Sequence, residues 1–301
     1  MEESVPWIAP PYVAAGVVTE LDGKPKSSGK TTFILKLCAA VLDGQPFLGH
    51  PTRKTRVVYL SEQNRASIRP ALSRAGLLDR DDLTFLFWAD CARYQWADVC
   101  AAAVTECERR GAGLLVVDTI GQFAGWEDEN SAVEALKAMQ PLQLAAGGGL
   151  AVVLSRHDRK SGGEVGDSGR GSNALTGAVD IVLSLGRVEG NAKPELRVLR
   201  ALSRFEDTPR ELYIELTEDG YIAHGDKAAI AEESARAAVR DALPCNPDKA
   251  VKEDELLKLT GDISRSTLRR VLEDPEIQRV GGGKKGDPFR YWRDANLSDQ
   301  A

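Results

Sequence analysis

The chain has 301 residues, of which 43% are hydrophobic and 28% charged, and its formal net charge is −6. This balance excludes global disorder and argues against a surface coated with basic charge. Its five cysteines are scattered without a CxxC pair, which predicts reduced thiols and no zinc site. No run of about 18 apolar residues occurs and the first residues lack a signal-peptide core, so we expect a cytoplasmic protein without membrane contact.

The first 225 residues alternate apolar, β-branched runs with amphipathic helical patterns. The predicted strands are residues 15–21, 55–61, 83–89, 113–119, 149–155, 180–186, 195–202 and 211–217. The predicted helices are residues 30–43, 66–76, 95–110 and 130–144. Apolar strands separated by helices predict an α/β fold with a mostly parallel sheet buried on both faces. The last strands lack intervening helices and predict a hairpin at the end of the sheet.

Residues 226–301 have a different pattern and predict a second, smaller domain. Helices are predicted at 226–243, 251–261 and 264–275, followed at 277–292 by two strands joined through a glycine turn. This order is typical of a winged helix-turn-helix domain. Ser264 or Ser266 is the expected N-cap of the third helix.

The stretch "GKPKSSGKTT", residues 23–32, lies between the first predicted strand and the first predicted helix. Its end, Gly29-Lys30-Thr31, matches the phosphate-binding loop pattern G-x-x-x-x-G-K-[ST] in the strand–loop–helix setting that this loop requires. The first glycine of the pattern belongs at position 24, which is Lys24, and the nearest glycine is Gly23. We interpret Gly23 as the turn glycine of a loop that is one residue longer.

Such a loop predicts binding of ATP and Mg²⁺. Backbone N–H groups and the positive helix end hold phosphates, Lys30 would bridge the β- and γ-phosphates, and Thr31 would place a hydroxyl on Mg²⁺. The predicted nucleotide-binding residues are Gly23, Lys24, Pro25, Lys26, Ser27, Ser28, Gly29, Lys30, Thr31 and Thr32.

Three further strands end in polar residues, and in a parallel sheet these ends share one edge. Asp118 ends "GLLVVD" and is expected to hold Mg²⁺ through its water shell together with Thr31. Glu62 follows "RVVYLS" and is the best candidate to polarise the attacking water. His157 follows "AVVLSR" and is placed to sense the γ-phosphate.

The segment that follows His157, "DRKSGGEVGDSGRGSNAL", is rich in glycine and basic residues. Beside a nucleotide site, a loop of this kind either closes over phosphate or binds nucleic acid. Its candidate nucleic-acid contacts are Arg159, Lys160 and Arg170.

A second basic region lies at residues 263–293, which hold eight basic and four acidic side chains. Arg265, Arg269 and Arg270 on the third helix of the winged-helix pattern are expected to reach DNA phosphates and base edges. Lys284 and Lys285 in the glycine turn would contact the DNA backbone. A winged helix that binds a protein partner instead remains open.

Over roughly residues 5–220 the chain resembles the RecA-like ATPases of the plasmid-replication RepA helicase family. The resemblance lies in five segments that occur in the same order: "GKPKSSGKTT", "VVYLSEQ", "LLVVDT", "SRHDRK…GRGS" and "LSRF". The resemblance implies that Lys30 and Thr31 are P-loop ligands, Glu62 the catalytic glutamate and Asp118 the Walker B aspartate. It also implies that His157 is the histidine of the third motif and that Arg204 is a basic finger that completes a neighbouring subunit's site. The family's paired histidines are here Arg156-His157.

The resemblance further implies a ring-shaped hexamer or a filament, with loops at about 121–132 and 158–172 lining a channel for single-stranded DNA. Our main hypothesis is a DNA-stimulated ATPase, either a replicative helicase or a DNA-loading protein. The alternative is a nucleotide-switched, duplex-binding regulator with little turnover. A recombinase-like filament is disfavoured, because only a short segment precedes the first predicted strand.

Overall fold

A computed structural model of the chain describes residues 4–24, 28–128, 130–157, 173–188, 194–261 and 263–293. The chain divides into two units, Met1–His224 and Gly225–Ala301. The strands of the first unit, the last of which ends at the boundary, are β1 (Trp7–Ala9), β2 (Val13–Ala14), β3 (Val18–Asp22), β4 (Arg56–Ser61), β5 (Leu83–Phe87), β6 (Ala112–Asp118), β7 (Ala151–Ser155), β8 (Ile181–Arg187), β9 (Leu196–Ser203), β10 (Glu211–Leu216) and β11 (Tyr221–Gly225). Its helices are α1 (Lys30–Asp43), α2 (Arg65–Ala75), α3 (Trp88–Cys91), α4 (Trp96–Arg110), α5 (Ile120–Ala124), α6 (Ala132–Gly147) and α7 (Asn173–Gly177).

One large sheet organises the first unit. Among the described residues its strand order is β11-β10-β9-β8-β3-β7-β6-β4-β5. From β8 to β5 all neighbours are parallel, whereas β9 is antiparallel to both β8 and β10. The prediction of an α/β fold with a mostly parallel sheet is therefore confirmed.

The antiparallel part at the end of the sheet is larger than the predicted hairpin. Strands β8 to β11 follow one another through short connections and form an antiparallel extension, and β11 was not predicted. Two other predictions also need correction. The strand expected at 83–89 ends at Phe87 because α3 begins at Trp88, and the loop expected at 121–132 overlaps the short helix α5.

The sheet is buried on both faces because successive apolar side chains of a strand point to opposite faces. Leu21, Tyr59 and Val116 face the layer that contains α1 and α2. Val18 and Leu115 face the opposite layer, which contains α4 and α6. The sheet is thus held between two helical layers, and only the ends of its central strands are free to carry polar groups.

Strand register sets the position of those ends. Leu21 in β3 is level with Ser155 in β7, Leu154 is level with Val117 in β6, and Asp118 is level with Ser61 in β4. The residues that follow β3, β4, β6 and β7 therefore emerge side by side at one edge of the sheet. The strand order reverses next to β3, because the chain passes from β3 to β4 on one side and from the neighbouring β7 to β8 on the other. Crevices at such points are where α/β proteins place ligands.

The second unit contains α8 (Lys227–Ala242), a 3₁₀ turn (Pro247–Lys249), β12 (Val251–Lys252), α9 (Glu253–Leu259), α10 (Arg265–Val271), β13 (Ile277–Val280) and β14 (Arg290–Arg293). In its described part the strands form an antiparallel sheet in the order β12-β14-β13. Val239, Leu256, Leu268 and Tyr291 build its core.

Local chemistry explains where two helices of this unit begin. Ser264, not Ser266, is the N-cap of α10, because its hydroxyl accepts from the N–H of Thr267 at 3.1 Å. The helix predicted from residue 251 starts at Glu253, because Val251 and Lys252 pair with β14. The helix predicted to run to 275 ends at Val271.

Candidate nucleotide-binding site

The loop between β3 and α1 requires its glycine at position 23. A Cβ on Gly23 would lie 2.7 Å from the hydroxyl of Ser28 and 2.8 Å from the carbonyl oxygen of Leu185, closer than real contacts allow. Ser28 closes the turn, since its N–H and hydroxyl donate to the carbonyl of Lys24 at 3.3 and 2.9 Å. Lys24 itself is exposed. The loop therefore has no space for a side chain at 23 and tolerates one at 24.

The buried ammonium of Lys30 lies inside this loop. Helix α1 begins at Lys30, after Gly29 in the left-handed conformation at φ +90°. The Nζ atom donates to the carbonyl oxygen of Gly23 at 2.5 Å and lies 3.3 Å from Nδ1 of His157. The loop and the start of α1 thus enclose a positive charge at a helix N-terminus, an arrangement that favours phosphate.

Hydroxyl groups from three elements surround the carboxylate of Asp118. Its Oδ2 accepts from Oγ1 of Thr31 at 3.0 Å and from the hydroxyl of Tyr59 at 2.8 Å, and its Oδ1 accepts from Oγ of Ser155. Burial, and secondly the charge of Asp118, raise the pKa of Tyr59 well above its ordinary value, so that this phenol remains a donor. The adjacent Thr31 hydroxyl and Asp118 carboxylate are oxygen donors of the kind that suits Mg²⁺.

Glu62 is tied to the same strand end. Its N–H donates to the carbonyl of Asp118 at 2.8 Å, and its carboxylate accepts from Oγ1 of Thr119. The peptide bond between Asp118 and Thr119 is cis. The half-buried Glu62 carboxylate is thus held one residue beyond Asp118, on the next strand of the sheet.

A buried ion pair lies next to this cluster. Arg156, immediately before His157, is 3% exposed, and its guanidinium is 2.5 Å from the carboxylate of the fully buried Glu20. The same guanidinium donates to Oγ1 of Thr176 in α7 at 2.9 Å. Where the resemblance led us to expect a histidine, an arginine therefore joins β3, β7 and α7.

Arg204 does not reach the cluster around Lys30, Asp118 and Glu62 of its own chain. It follows β9, whose last residue, Ser203, is level with Ile181 at the start of β8. Because β8 runs parallel to β3, Arg204 lies at the edge of the sheet opposite to the loop. Its side chain is 66% exposed, and its Nη1 is 3.5 Å from a carboxylate oxygen of Asp180.

Thr32 is in the first turn of α1 and is half-buried. The predicted contacts that fall outside the described residues are Pro25, Lys26, Ser27, Arg159, Lys160 and Arg170.

Sequence reasoning missed three side chains that reach the site. Tyr59 lies inside an apolar strand and gives no signal in the sequence. Ser155 ends an apolar strand in the same way as Asp118 does, so its position was a usable signal. Arg197 in β9 donates to the carbonyl of Ser28 at 3.2 Å, and no nearby motif points to it.

The three arginines of α10 that are predicted to bind DNA are engaged with carboxylates. Arg265 contacts Glu253 at 2.8 Å and Asp254 at 2.7 Å, while Arg269 lies 3.1 Å from Glu253. Arg270 contacts Glu232 at 3.0 Å. A cleft of about 520 Å³ lies beside Arg265 and Arg269 and is lined also by Lys284. Carboxylates of α8 and α9 therefore stand on the basic surface itself.

The sheet and the cluster at its edge define a class of protein. A glycine loop between a strand and a helix, its enclosed lysine, and an aspartate on a nearby parallel strand form a P-loop nucleotide-binding site. The fold is shared with a KaiC-like protein from the hyperthermophilic archaeon Pyrococcus horikoshii OT3, at 14% identity and a TM-score of 0.53, over 74% of this chain and 98% of that one.

The chain belongs to the AAA domain family, whose model matches residues 2–163. Family and fold together make it a P-loop ATPase with a RecA-like core. This class implies a bound nucleotide, usually with Mg²⁺. No curated protein matches the chain. Within the described residues, no helix has both the length and the hydropathy to cross a membrane.

Proposed function

We propose that this protein hydrolyses ATP with Mg²⁺ and uses the reaction on DNA, as a RepA-like replicative helicase or DNA-loading protein. One observation carries the proposal: Thr31, Asp118 and Glu62, from three distant parts of the sequence, are hydrogen-bonded at one edge of the sheet. The Thr31 hydroxyl and the Glu62 N–H both donate to Asp118, and Lys30 directly precedes Thr31. Phosphoryl transfer needs this combination of cation, metal ligands and water-orienting base, and an isolated loop does not supply it.

Each side chain has a role that its position supports. The ammonium of Lys30 and the N–H groups at the start of α1 hold the β- and γ-phosphates. The hydroxyl of Thr31 and the carboxylate of Asp118 would hold Mg²⁺. The carboxylate of Glu62, oriented by Thr119, positions the water that attacks the γ-phosphate.

His157 and Arg204 connect this site to the rest of an assembly. His157 lies 3.3 Å from Nζ of Lys30 and directly precedes the basic segment 158–172 in the sequence; in our proposal it reports the γ-phosphate to that segment. Arg204 lies too far from its own loop to act there, because β9 carries it to the opposite edge of the sheet. In our proposal Arg204 serves the site of a neighbouring copy in a hexameric ring.

DNA would be bound in two places. Arg159, Lys160 and Arg170 in the loop at 158–172 would face single-stranded DNA in the channel of the ring. The second unit has the element order of a winged helix, and Arg265, Arg269, Arg270, Lys284 and Lys285 would contact duplex DNA there. Because Arg265 and Arg269 are paired with Glu253, the DNA phosphates would have to displace that carboxylate.

The test is ATP turnover of the wild type and of Glu62→Gln, each with and without single-stranded DNA. We expect measurable turnover that DNA accelerates in the wild type, and a loss of about a hundredfold or more in Glu62→Gln, with ATP binding retained. A wild type that turns over ATP no faster than Glu62→Gln under every condition contradicts the proposal.

One observation favours the second candidate, a nucleotide-switched DNA-binding regulator with little turnover. Arg204 contacts Asp180 of its own chain, and this ion pair competes with a role in a neighbour's site. In that case ATP would control assembly, and the second unit would read duplex sequence. Nucleotide-dependent binding to duplex DNA without DNA-stimulated turnover distinguishes this candidate from the first.

A further inference from the structure

A half-buried arginine from the antiparallel part of the sheet contacts the phosphate-binding loop. Arg197, near the start of β9, donates from Nε to the carbonyl oxygen of Ser28 at 3.2 Å. Its Nη1 donates to the carbonyl oxygens of Pro194 and Leu196, the latter at 2.9 Å. Within the described part of the chain its hydrogen-bond partners are thus backbone carbonyls, and none of them is a carboxylate.

The charge of this guanidinium is costly where it lies. Burial lowers the pKa of Arg197 below its ordinary value; the nearby Tyr221 and Glu195 offset this in part, and Arg187, its partner in the β8–β9 ladder, adds to it. An arginine nevertheless stays protonated in proteins. A partly desolvated cation is stabilised by an anion that approaches it. Arg197 is hydrogen-bonded to the phosphate-binding loop, which is the expected site of an anion.

Arg197 reaches the loop from the side opposite to Asp118. Strands β8 and β9 flank β3 on one side, whereas β7 and β6, with Asp118, flank it on the other. Tyr221 of β11 reaches the same side, since its hydroxyl lies 3.7 Å from the place of a Cβ on Gly29. The antiparallel extension therefore forms a wall along the outer side of the loop.

We propose that Arg197 is a positioning residue of the nucleotide site. By holding the carbonyl of Ser28 outward, it turns the N–H groups of Gly29 and Lys30 toward the phosphates, and its charge favours the bound polyphosphate. This inference rests on the proposed function and adds to it a residue outside the P-loop and the strand ends.

The experiment measures the dissociation constant of ADP by calorimetry at two salt concentrations, for the wild type, Arg197→Gln, Arg197→Lys and Arg200→Gln. Arg200 is a matched control, because it lies on the same strand but is exposed and paired with Glu211 at 3.1 Å. We expect Arg197→Gln to bind ADP about tenfold more weakly and with a smaller salt dependence. Arg197→Lys should recover part of the loss, since it keeps the charge without the planar fork.

The unfolding temperature without nucleotide distinguishes a positioning role of Arg197 from a purely structural one. We expect this temperature to be unchanged in Arg197→Gln. Wild-type affinity in Arg197→Gln, an equal loss in Arg200→Gln, or a loss of affinity that follows a fall in unfolding temperature overturns the inference. The variant Lys30→Ala distinguishes a failure of this inference from a failure of the proposed function. If wild type binds ADP and Lys30→Ala does not, nucleotide binding stands whatever Arg197 does. If neither binds, the proposed function and the inference both fail.

Discussion

Two neighbouring residues at the start of the loop between β3 and α1 differ in whether a side chain is tolerated. Gly23 has no space for a Cβ, whereas Lys24 is exposed. We expect Gly23→Ala to abolish ADP binding and lower stability, because the new methyl group must displace Ser28 or the β8 backbone. Lys24→Ala should change the affinity for ADP by less than about threefold. Calorimetry and thermal unfolding of both variants test this, and a Lys24→Ala as damaging as Gly23→Ala contradicts the lengthened loop.

Tyr59 is a second residue whose role only its contacts show. Its buried hydroxyl donates to Asp118 at 2.8 Å. Tyr59→Phe removes a hydrogen bond to a charged acceptor, and we expect the free energy of unfolding to fall by about 1.5 kcal/mol. The variant should also require more Mg²⁺ for ATP turnover, because Asp118 is held less firmly. Denaturant titration and a Mg²⁺ series measure both effects, with the exposed Tyr94→Phe as control. Unchanged stability in Tyr59→Phe would show that this hydrogen bond contributes nothing.

At the scale of elements, α9 and α10 show why a charge count does not define a binding surface. The sequence predicts a basic α10, and the fold places the carboxylate of Glu253 against Arg265 and Arg269. We expect Glu253→Gln to raise the affinity for duplex DNA about threefold, because Arg269 is released from its ion pair and Arg265 keeps only its contact with Asp254. Fluorescence anisotropy over a salt series measures it.

The control for that prediction is Glu233→Gln, which changes the net charge by the same amount at an exposed position of α8. An equal gain in both variants would show a general charge effect and contradict a specific role for Glu253. No gain in either variant would assign this surface of the second unit to something other than DNA.

The same scale shows where element prediction succeeds. The helices expected at 30–43 and 95–110 match α1 and α4 to within one residue, because apolar periodicity and a glycine after the last turn define them. Strand β11 was missed because it has only five residues, of mixed character and largely half-buried, and gives no periodic apolar pattern; its pairing with β10 defines it. Strand β12 has two residues, and its pairing with β14 creates it.

At the scale of the whole molecule, the position of Arg204 predicts cooperation between copies. It lies at the edge of the sheet away from Lys30, and in our proposal it completes the site of a neighbouring copy. We expect Lys30→Ala and Arg204→Ala each to lose DNA-stimulated turnover, with ATP binding kept only in Arg204→Ala. Mixing the two variants should restore about a quarter of wild-type turnover, because random assembly brings intact partners together at some interfaces.

Turnover assays of each variant alone and of the mixture, over a range of mixing ratios, provide the measurement. A mixture that stays as inactive as its components would exclude a shared site. An Arg204→Ala variant with full turnover on its own would favour a different role for this arginine.

By itself, the sequence determined the class of the fold and most of the site. Apolar strands between amphipathic helices require a parallel sheet buried on both faces, and such a sheet must bring Asp118, Glu62 and His157 to the edge that carries Lys30. The tertiary structure decided what depends on contacts between distant segments. It places Tyr59, Ser155 and Arg197 at the site, pairs Arg156 with Glu20, and sets Glu253 against the arginines of α10. Periodicity and local motifs report which face of an element is buried. Which side chain of one element meets which of another is determined by register and packing, and these are properties of the folded chain alone.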